Sequence, residues 1–407
     1  MVGGGPAGMM ASGRAAERGL RVVLLEKNPT LGKKLLITGG GRCNLTNRKP
    51  DTRSLLAKYK GAGKFLFSAF AQFGVEETLD FFQKRGVAVK EENDGRMFPV
   101  SDRAQSVWDA LVSYMKQGGV RVQTNATVVG ITVDEKEHAV VVRLKGREEV
   151  RAKSCILATG GISHPETGST GEGFAWLRKL GHTIADNSVA LVPVALKDIW
   201  VKKLAGVSLE DVKITVFQNG QKQGSRRGKI LFTHFGLTGP MVLNMSKEIG
   251  EVMEYGNATM ELDLFPAFDH GALKQELQSL LADQSNKKIK NLLGKLVPAS
   301  FAPVLLDLAG VDGETPAHSL RRQERAGLIP LMKAVPLHVG GLLGAGKAVV
   351  SSGGVSLEEV DFKTMRSRLA PNLFLAGDIL DIDRPSGGYS LQLCWTTGFV
   401  AGSHAGS

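Results

Sequence analysis

The sequence predicts an α/β fold: a Rossmann-like nucleotide-binding domain, split in two by a β-rich insertion that itself carries a small all-α piece. Three observations predict it. Gly3-Gly4-Gly5-Pro6-Ala7-Gly8 is a G-x-G-x-x-G turn opening a small-residue helix, and an apolar strand ending in Glu26 follows 18 residues after Gly8. The same grammar returns near the C-terminus, where Leu373-Phe374-Leu375-Ala376-Gly377-Asp378 is an apolar strand ending in an acid. Between them, strand patterns from about Val189 give way to leucines at helical spacing over 269–329.

Each residue type in the first motif has a task. Gly3 permits the tight turn, Gly5 lets backbone approach a pyrophosphate, and Gly8 lets the helix pack closely on the strand. The N-terminus of the helix expected from Met9 to Arg18 offers free N–H groups and a positive dipole end to phosphates. Glu26, at a strand tip, is placed to accept hydrogen bonds from an adenosine ribose. Met1 and Val2 are all that precede Gly3, whereas the first strand of such a unit runs about four to six residues. The expectation is that a few apolar residues upstream are missing, which an intact mass would test.

Leu31 to Asn47 (LGKKLLITGGGRCNLTN) is too rich in glycine and polar residues for a plain connector. It follows Glu26 directly, so it is expected along the same crevice, with Arg42 and Asn44 reaching an anionic or carbonyl-bearing ligand. Residues 64–118 read as mostly helical, with Phe65, Phe70, Phe73, Phe81 and Phe82 as core, broken at Arg96-Met97-Phe98-Pro99. Strands at 120–123, 126–133, 139–144 and 151–157 read as hairpins and edge strands. The last of these runs into Ala158-Thr159-Gly160-Gly161, small residues that leave backbone open at the carboxyl edge of a parallel sheet, where ligands bind. A loop from Gly168 to Gly173 and a helix through Lys179 follow.

The insertion reads as strands at 189–196, 212–217, 229–232 and 259–264, with a hairpin turn at Asn219-Gly220. Gly340-Gly341-Leu342-Leu343-Gly344-Ala345-Gly346 imitates a second dinucleotide turn, but its glycines are out of register. After Asp378, which can hold a polyol hydroxyl, Gly387-Gly388-Tyr389 opens a final helix whose dipole can face a ring that becomes anionic on reduction. A nicotinamide dinucleotide has no need of this third element, whereas FAD does, because its ribityl chain and ring extend further along the crevice.

The bulk composition is that of an ordinary globular protein, 407 residues with 43% hydrophobic and 22% charged. There is no run of 18 apolar residues and no signal-peptide pattern, so a cytoplasmic location without a membrane partner is expected. Cys43, Cys155 and Cys394 are far apart, which argues against a disulfide framework or a zinc site. The net charge of +11 fits phosphorylated cofactors and acidic small molecules, or a nucleic-acid surface.

With these motifs in hand, the chain resembles a family of bacterial NAD(P)/FAD-dependent oxidoreductases, the YhiN-like or BaiN-like proteins, also known as the aminoacetone oxidase family and related to the glutathione-reductase type of FAD domain. The likeness is carried by GGGPAG, GKKLLITGGGRCNLTN, ATGG, STGEG, LFTHFGLTGP, SSGGVSLEEVDFKTMRS and LFLAGDILDIDRPSGGYSLQ. It implies an FAD-binding domain at 1–188 and 351–407, a translation-factor-like β-barrel at 189–266 and 330–350, and a helical insert at 267–329. It also implies FAD contacts at Gly3, Gly5, Ala7, Gly8, Glu26, Lys27, Arg42, Cys43, Val128, Asp378 and the helix start after Gly388. Pro6, Lys34, Asn44, Thr159, Gly160, Gly161, Gly377, Tyr389 and Leu391 complete the expected cofactor set. Ser390 stands where the family usually carries Asn, which bears on one flavin-side polar contact.

The chemistry expected is hydride transfer at flavin N5 to or from a small molecule, with NAD(P)H or oxygen as the other redox partner. His234 is the first candidate acid/base, with His164 and Tyr389 behind it. Arg42 would lower the Cys43 pKa, but no second cysteine in the loop supports a disulfide mechanism. Two rivals stand beside this reading: an FAD-dependent RNA-modifying or RNA-binding protein, and a flavin-binding sensor or scaffold without turnover. The oligomeric state is open.

Overall fold

Four short parallel strands, joined in the middle by bridges to Val2, carry the first of two units, Met1–Val189 with Ala348–Ser407; the second is Ala190–Lys347. The computed structural model describes all residues except 135, 147, 186–187, 255, 345–349 and 407. The order is Arg121–Gln123, Val23–Leu25, the bridging residue Val2, Cys155–Leu157, Leu373–Leu375. The residues before the glycine turn thus occupy the central position: Val2 donates to Ile156 O at 3.0 Å, and Gly3 donates to Leu25 O at 2.9 Å. Leu24, Leu157 and the whole 373–375 strand are fully buried, as expected for a sheet covered on both faces.

The first helix, Pro6–Glu17, packs between this sheet and the last helix, Tyr389–His404. Small residues make that approach possible. A Cβ on Gly398 would sit 2.5 Å from Ala7 O, and one on Gly402 would sit 2.6 Å from Ala11 O. The last helix is therefore buried along most of its length. At its centre Gln392 is wholly buried and satisfied: its amide donates to Gly74 O, Thr78 Oγ1 and Thr396 Oγ1, and its oxygen accepts from Thr46 Oγ1 at 2.5 Å. This hub ties the helix to the 31–47 loop and to the helix Val75–Gln83.

The helical reading of 64–118 needs one correction. Between the helices Val75–Gln83 and Ala104–Gln117 lies a hairpin, Val89–Glu92 with Arg96–Pro99, which also pairs with Thr46–Asn47. Asp94 and Gly95, both at positive φ, make the turn that the aromatic periodicity masked. Residues 151–157 also divide. Glu149–Ala152 closes a meander with Val128–Asp134 and Ala139–Leu144, while Cys155–Leu157 joins the parallel sheet.

The second unit is a closed barrel in the order Val194–Leu196, Gly236–Thr238, Gln221–Phe232, Ser208–Gln218, Ala258–Asp263, Val335–Leu342. Asn219 and Gly220 turn its long hairpin with φ of 48° and 82°, the conformation that suits the twist of the flanking strands. A helix at Pro240–Glu254 was not expected from strand patterning. The helices His270–Asp283, Ile289–Leu293, Phe301–Ala309 and Arg322–Lys333 follow, and their leucines join the barrel in one hydrophobic core. The false glycine motif falls on the last barrel strand through Leu342; residues 345–346 lie outside the described residues.

Two outcomes follow from the first unit. Gln392→Ala leaves several buried partners unsatisfied and should lower stability by about 2–3 kcal/mol, read from the urea midpoint of the tryptophan signal. All three cysteines are buried, and desolvation pushes the Cys43 and Cys394 thiols up to about 12. An aromatic disulfide reagent at about pH 8 should therefore leave the native protein unreacted and titrate the thiols after unfolding.

Candidate functional site

The carboxyl ends of the parallel strands open onto one crevice in the first unit, about 850 Å³ of space open to solvent. Gly3, Gly5, Pro6, Ala7, Glu26, Lys27, Lys34, Val128, Thr159, Gly160, Gly377 and Asp378 all line it. Segments far apart in sequence thus meet as the strand order requires, since ligands of open α/β sheets sit beyond the carboxyl ends of the strands. Gly8 lies beneath: a Cβ there would meet Gly3 O at 1.9 Å. Gly5 is the opposite case, with nothing within 4 Å of an added Cβ, and it opens a helix that has neither a side-chain cap nor an acid in its first turn. That helix end offers unshielded N–H groups to the crevice.

Glu26 is fixed by three donors. Its Oε2 accepts from Gly4 N–H at 2.7 Å, and its Oε1 accepts from the backbone N–H and the Nδ2 of Asn28 at 2.8 Å each. Asn28 was not anticipated; its signal was an amide residue two places after a strand-ending acid. Lys27 reaches across the crevice wall to Thr170 Oγ1 at 2.7 Å and Glu172 at 2.6 Å. The 167–169 loop and Trp176 line the opposite side. Thr159 Oγ1 is buried without a partner, an acceptor and donor left for something else to satisfy.

At the other end of the crevice, Lys34 donates to Ser163 Oγ at 2.5 Å and lies 3.6 Å from Asp378 Oδ2. Asp378 is also paired with the buried Arg384. These two cations outweigh the desolvation that would otherwise raise it, and hold the Asp378 carboxyl below its usual range. Cys394, unanticipated here, lines the same wall.

Asn44, Gly388 and Tyr389 form a second group around the start of the last helix. Gly388, at φ 101°, would place a Cβ 2.4 Å from Thr46 O and 3.0 Å from Asn44 Oδ1, so the 31–47 loop packs directly on the double glycine. Asn44 Oδ1 is buried without a partner, and Asn47 Nδ2 donates to Gly387 O at 3.0 Å. Trp395 Nε1 donates to Leu45 O at 2.9 Å, and Tyr59 donates to Tyr389 O at 2.9 Å. The helix start has no side-chain cap. Gly161 and Leu391 are buried.

Arg42 departs from expectation. Its guanidinium lies 4.2 Å from the Phe98 ring centroid and pairs with Glu92 and with Asp102 at 2.6 Å, so it is not among the residues lining the crevice. Nor does it lower the Cys43 pKa, because burial dominates there and Arg42's charge is spent on the two carboxylates. Of the acid/base candidates, His164 holds φ 54° and pairs with Glu166 at 2.7 Å. Burial pushes the Tyr389 phenol up to about 12. His234 is exposed in the second unit, edge-on to Phe235. Among the described residues no group of acids, histidines and cysteines is placed to hold a metal, and no helix is long and apolar enough to cross a membrane.

Known proteins share the fold of this chain. Residues 1–404 match the family described as HI0933-like protein Rossmann domain. The chain is 32% identical to a 3-dehydro-bile acid delta(4,6)-reductase of Clostridium scindens, covering all of this chain and 98% of that protein. It is 30% identical to a ribosomal RNA dihydrouridine synthase of Escherichia coli, covering 98% of this chain and 96% of that protein. A solved 3-ketosteroid delta1-dehydrogenase from Sterolibacterium denitrificans shares the fold with a TM-score of 0.55 at 13% identity, over 99% of this chain and 98% of that one. With full-length matches at this level, the chain belongs to the HI0933-like family of Rossmann-fold flavoprotein oxidoreductases.

Proposed function

We propose that this protein is an FAD-dependent reductase acting on a carbon–carbon double bond conjugated with a carbonyl group, with NAD(P)H as electron donor and a small molecule as substrate. The observation that carries the cofactor reading is the crevice running from the uncapped first helix past Glu26 to Asp378. Thr159 Oγ1, buried there without a partner, and the open space at Gly5 support the fit. When bound, FAD supplies the hydride chemistry. In this reading the N–H groups after Gly5 hold the pyrophosphate, Glu26 holds the adenosine ribose, and Asp378 with Lys34 holds the polyol chain. Asn44 and the helix start at Gly388–Tyr389 face the ring.

The substrate class comes from what the relatives' names share. A 3-dehydro delta(4,6) bile acid and the uracil ring of uridine both present a double bond conjugated with a carbonyl, and both names describe its saturation. Hydride adds to the β carbon and a proton to the α carbon, so the protein must supply an acid. For that role the order of candidates stays the one read from the residues: His234 first, then His164, which is paired with Glu166, and Tyr389, whose ring is buried.

A second reading is favoured by the dihydrouridine synthase relative and by the net charge of +11: the double bond reduced is that of a uracil base in RNA. The protein reduced anaerobically by NADPH or NADH decides between them. Reoxidation by a 3-oxo-Δ4 steroid enone, with product two mass units heavier, supports the small-molecule reading. Reoxidation by a uridine-rich ribosomal RNA fragment, weakened steeply by salt, supports the second. Flavin that no nicotinamide can reduce would leave the non-catalytic sensor.

Two variants test the parts. A Cβ at Gly5 meets no protein atom within 4 Å, so Gly5→Leu should match wild type in its unfolding midpoint while FAD uptake falls about tenfold or more, measured by flavin fluorescence. His234→Ala should slow reoxidation by substrate about a hundredfold and leave reduction by NAD(P)H unchanged in stopped-flow absorbance. Equal rates in both halves would remove His234 from the mechanism.

A further inference from the structure

Arg384 is a buried guanidinium that none of the nucleotide motifs explains. Its side chain is 1% exposed; it pairs with Asp378, donates to Ile382 O at 2.6 Å, and donates through Nε to Ser390 Oγ at 3.1 Å. Three acceptors in three directions fit a rigid planar fork and no other side chain. The Ser390 hydroxyl is thus directed at Arg384, which accounts for the position where the family pattern led us to expect a flavin-side contact.

We propose that Arg384, itself held by Ser390, is the positioning residue that keeps Asp378 ionised and fixed at the crevice wall, so that Asp378 can accept hydrogen bonds from the polyol chain of the dinucleotide. The inference rests on the FAD reading of the crevice. A carboxylate withdrawn this far from water takes up a proton unless cations face it, and a protonated acid offers a donor where the ligand needs an acceptor. The cations acting on Asp378 are Arg384 and Lys34, and the Cys394 thiol is the titratable group that feels its charge. Lys34 is divided between Ser163 and a more distant contact to Asp378, so Arg384 is the closer partner.

The sign follows from which form binds. With its pKa held down, the Asp378 carboxyl is ionised throughout neutral and mildly acidic pH, and FAD affinity is flat there. Removing Arg384 lifts that pKa, so affinity is lost as pH falls through the new value and returns as pH rises above it. The experiment is a fluorescence titration of the FAD-stripped protein with FAD, from about pH 5 to about pH 8, for wild type, Arg384→Met, Arg384→Lys, Ser390→Ala, Asp378→Asn and the Arg384→Met/Asp378→Asn double variant. Arg384→Met should bind about tenfold or more weakly at the acid end and recover toward wild type at the alkaline end. Arg384→Lys should regain part of the loss, and Ser390→Ala should repeat the pH dependence at smaller amplitude. With Asn at position 378, affinity should be independent of pH, and Arg384→Met should add no further loss.

Losses that multiply in the double variant, or titrations of Arg384→Met that follow wild type at every pH, overturn the inference. If Arg384→Met does not fold, by circular dichroism, the decision passes to Ser390→Ala and Arg384→Lys, and pH-independent binding in both overturns it equally. Wild-type protein that takes up no FAD at any pH overturns the crevice reading itself, and this inference with it.

Discussion

The first unit depends on how closely one helix can approach its neighbours. The helix after the glycine turn is pressed between the parallel sheet and the last helix, with backbone nearly touching backbone at Gly8 against Gly3, Gly398 against Ala7 and Gly402 against Ala11. At each point a single methyl group would overlap a carbonyl oxygen. That closeness aims the start of the helix at the crevice and keeps its first N–H groups free of side-chain caps. It also brings residues near the two ends of the chain into one wall, since the last helix delivers Cys394 and the strand before it delivers Asp378.

Electrostatics then divides the crevice into two kinds of end. Around Glu26 the carboxylate is held by backbone and amide donors, with no direct salt bridge to it among the described residues. Around Asp378 the carboxylate lies between two cations, one of them buried. An acid held by neutral donors keeps acceptor capacity for a ribose; an acid held by charges keeps its ionisation despite burial. The two acids look alike in the sequence, each at the tip of an apolar strand, and differ in what the fold packs behind them.

The polar interior serves the same geometry. Gln392, Thr396, Thr46 and Thr78 form a buried network in which both polar atoms of the Gln392 amide are hydrogen-bonded, joining the last helix to the glycine-rich loop. Satisfied networks of this kind specify one arrangement over near alternatives, because any slip leaves a buried donor or acceptor unpaired. The loop that carries Cys43 and Asn44 is therefore set against the double glycine by hydrogen bonds as well as by packing.

Much of this was legible in the residues. The glycine turn, the strand-ending acids, the Asn219-Gly220 hairpin and the leucine-rich helices each obey a local rule, because backbone conformation and amphipathic period act over a few residues. The sequence by itself determined the nucleotide fold and the end of each strand where a ligand would lie. It did not reveal the 89–99 hairpin inside an aromatic-rich helical stretch, the fixing of Glu26 by Asn28, the capture of Arg42 by Glu92 and Asp102, or the reach of Arg384 to Ser390 and Asp378. Those were decided by tertiary structure, since a side chain's charge partners depend on which distant segments the packing brings within hydrogen-bonding distance, and no local pattern encodes that distance.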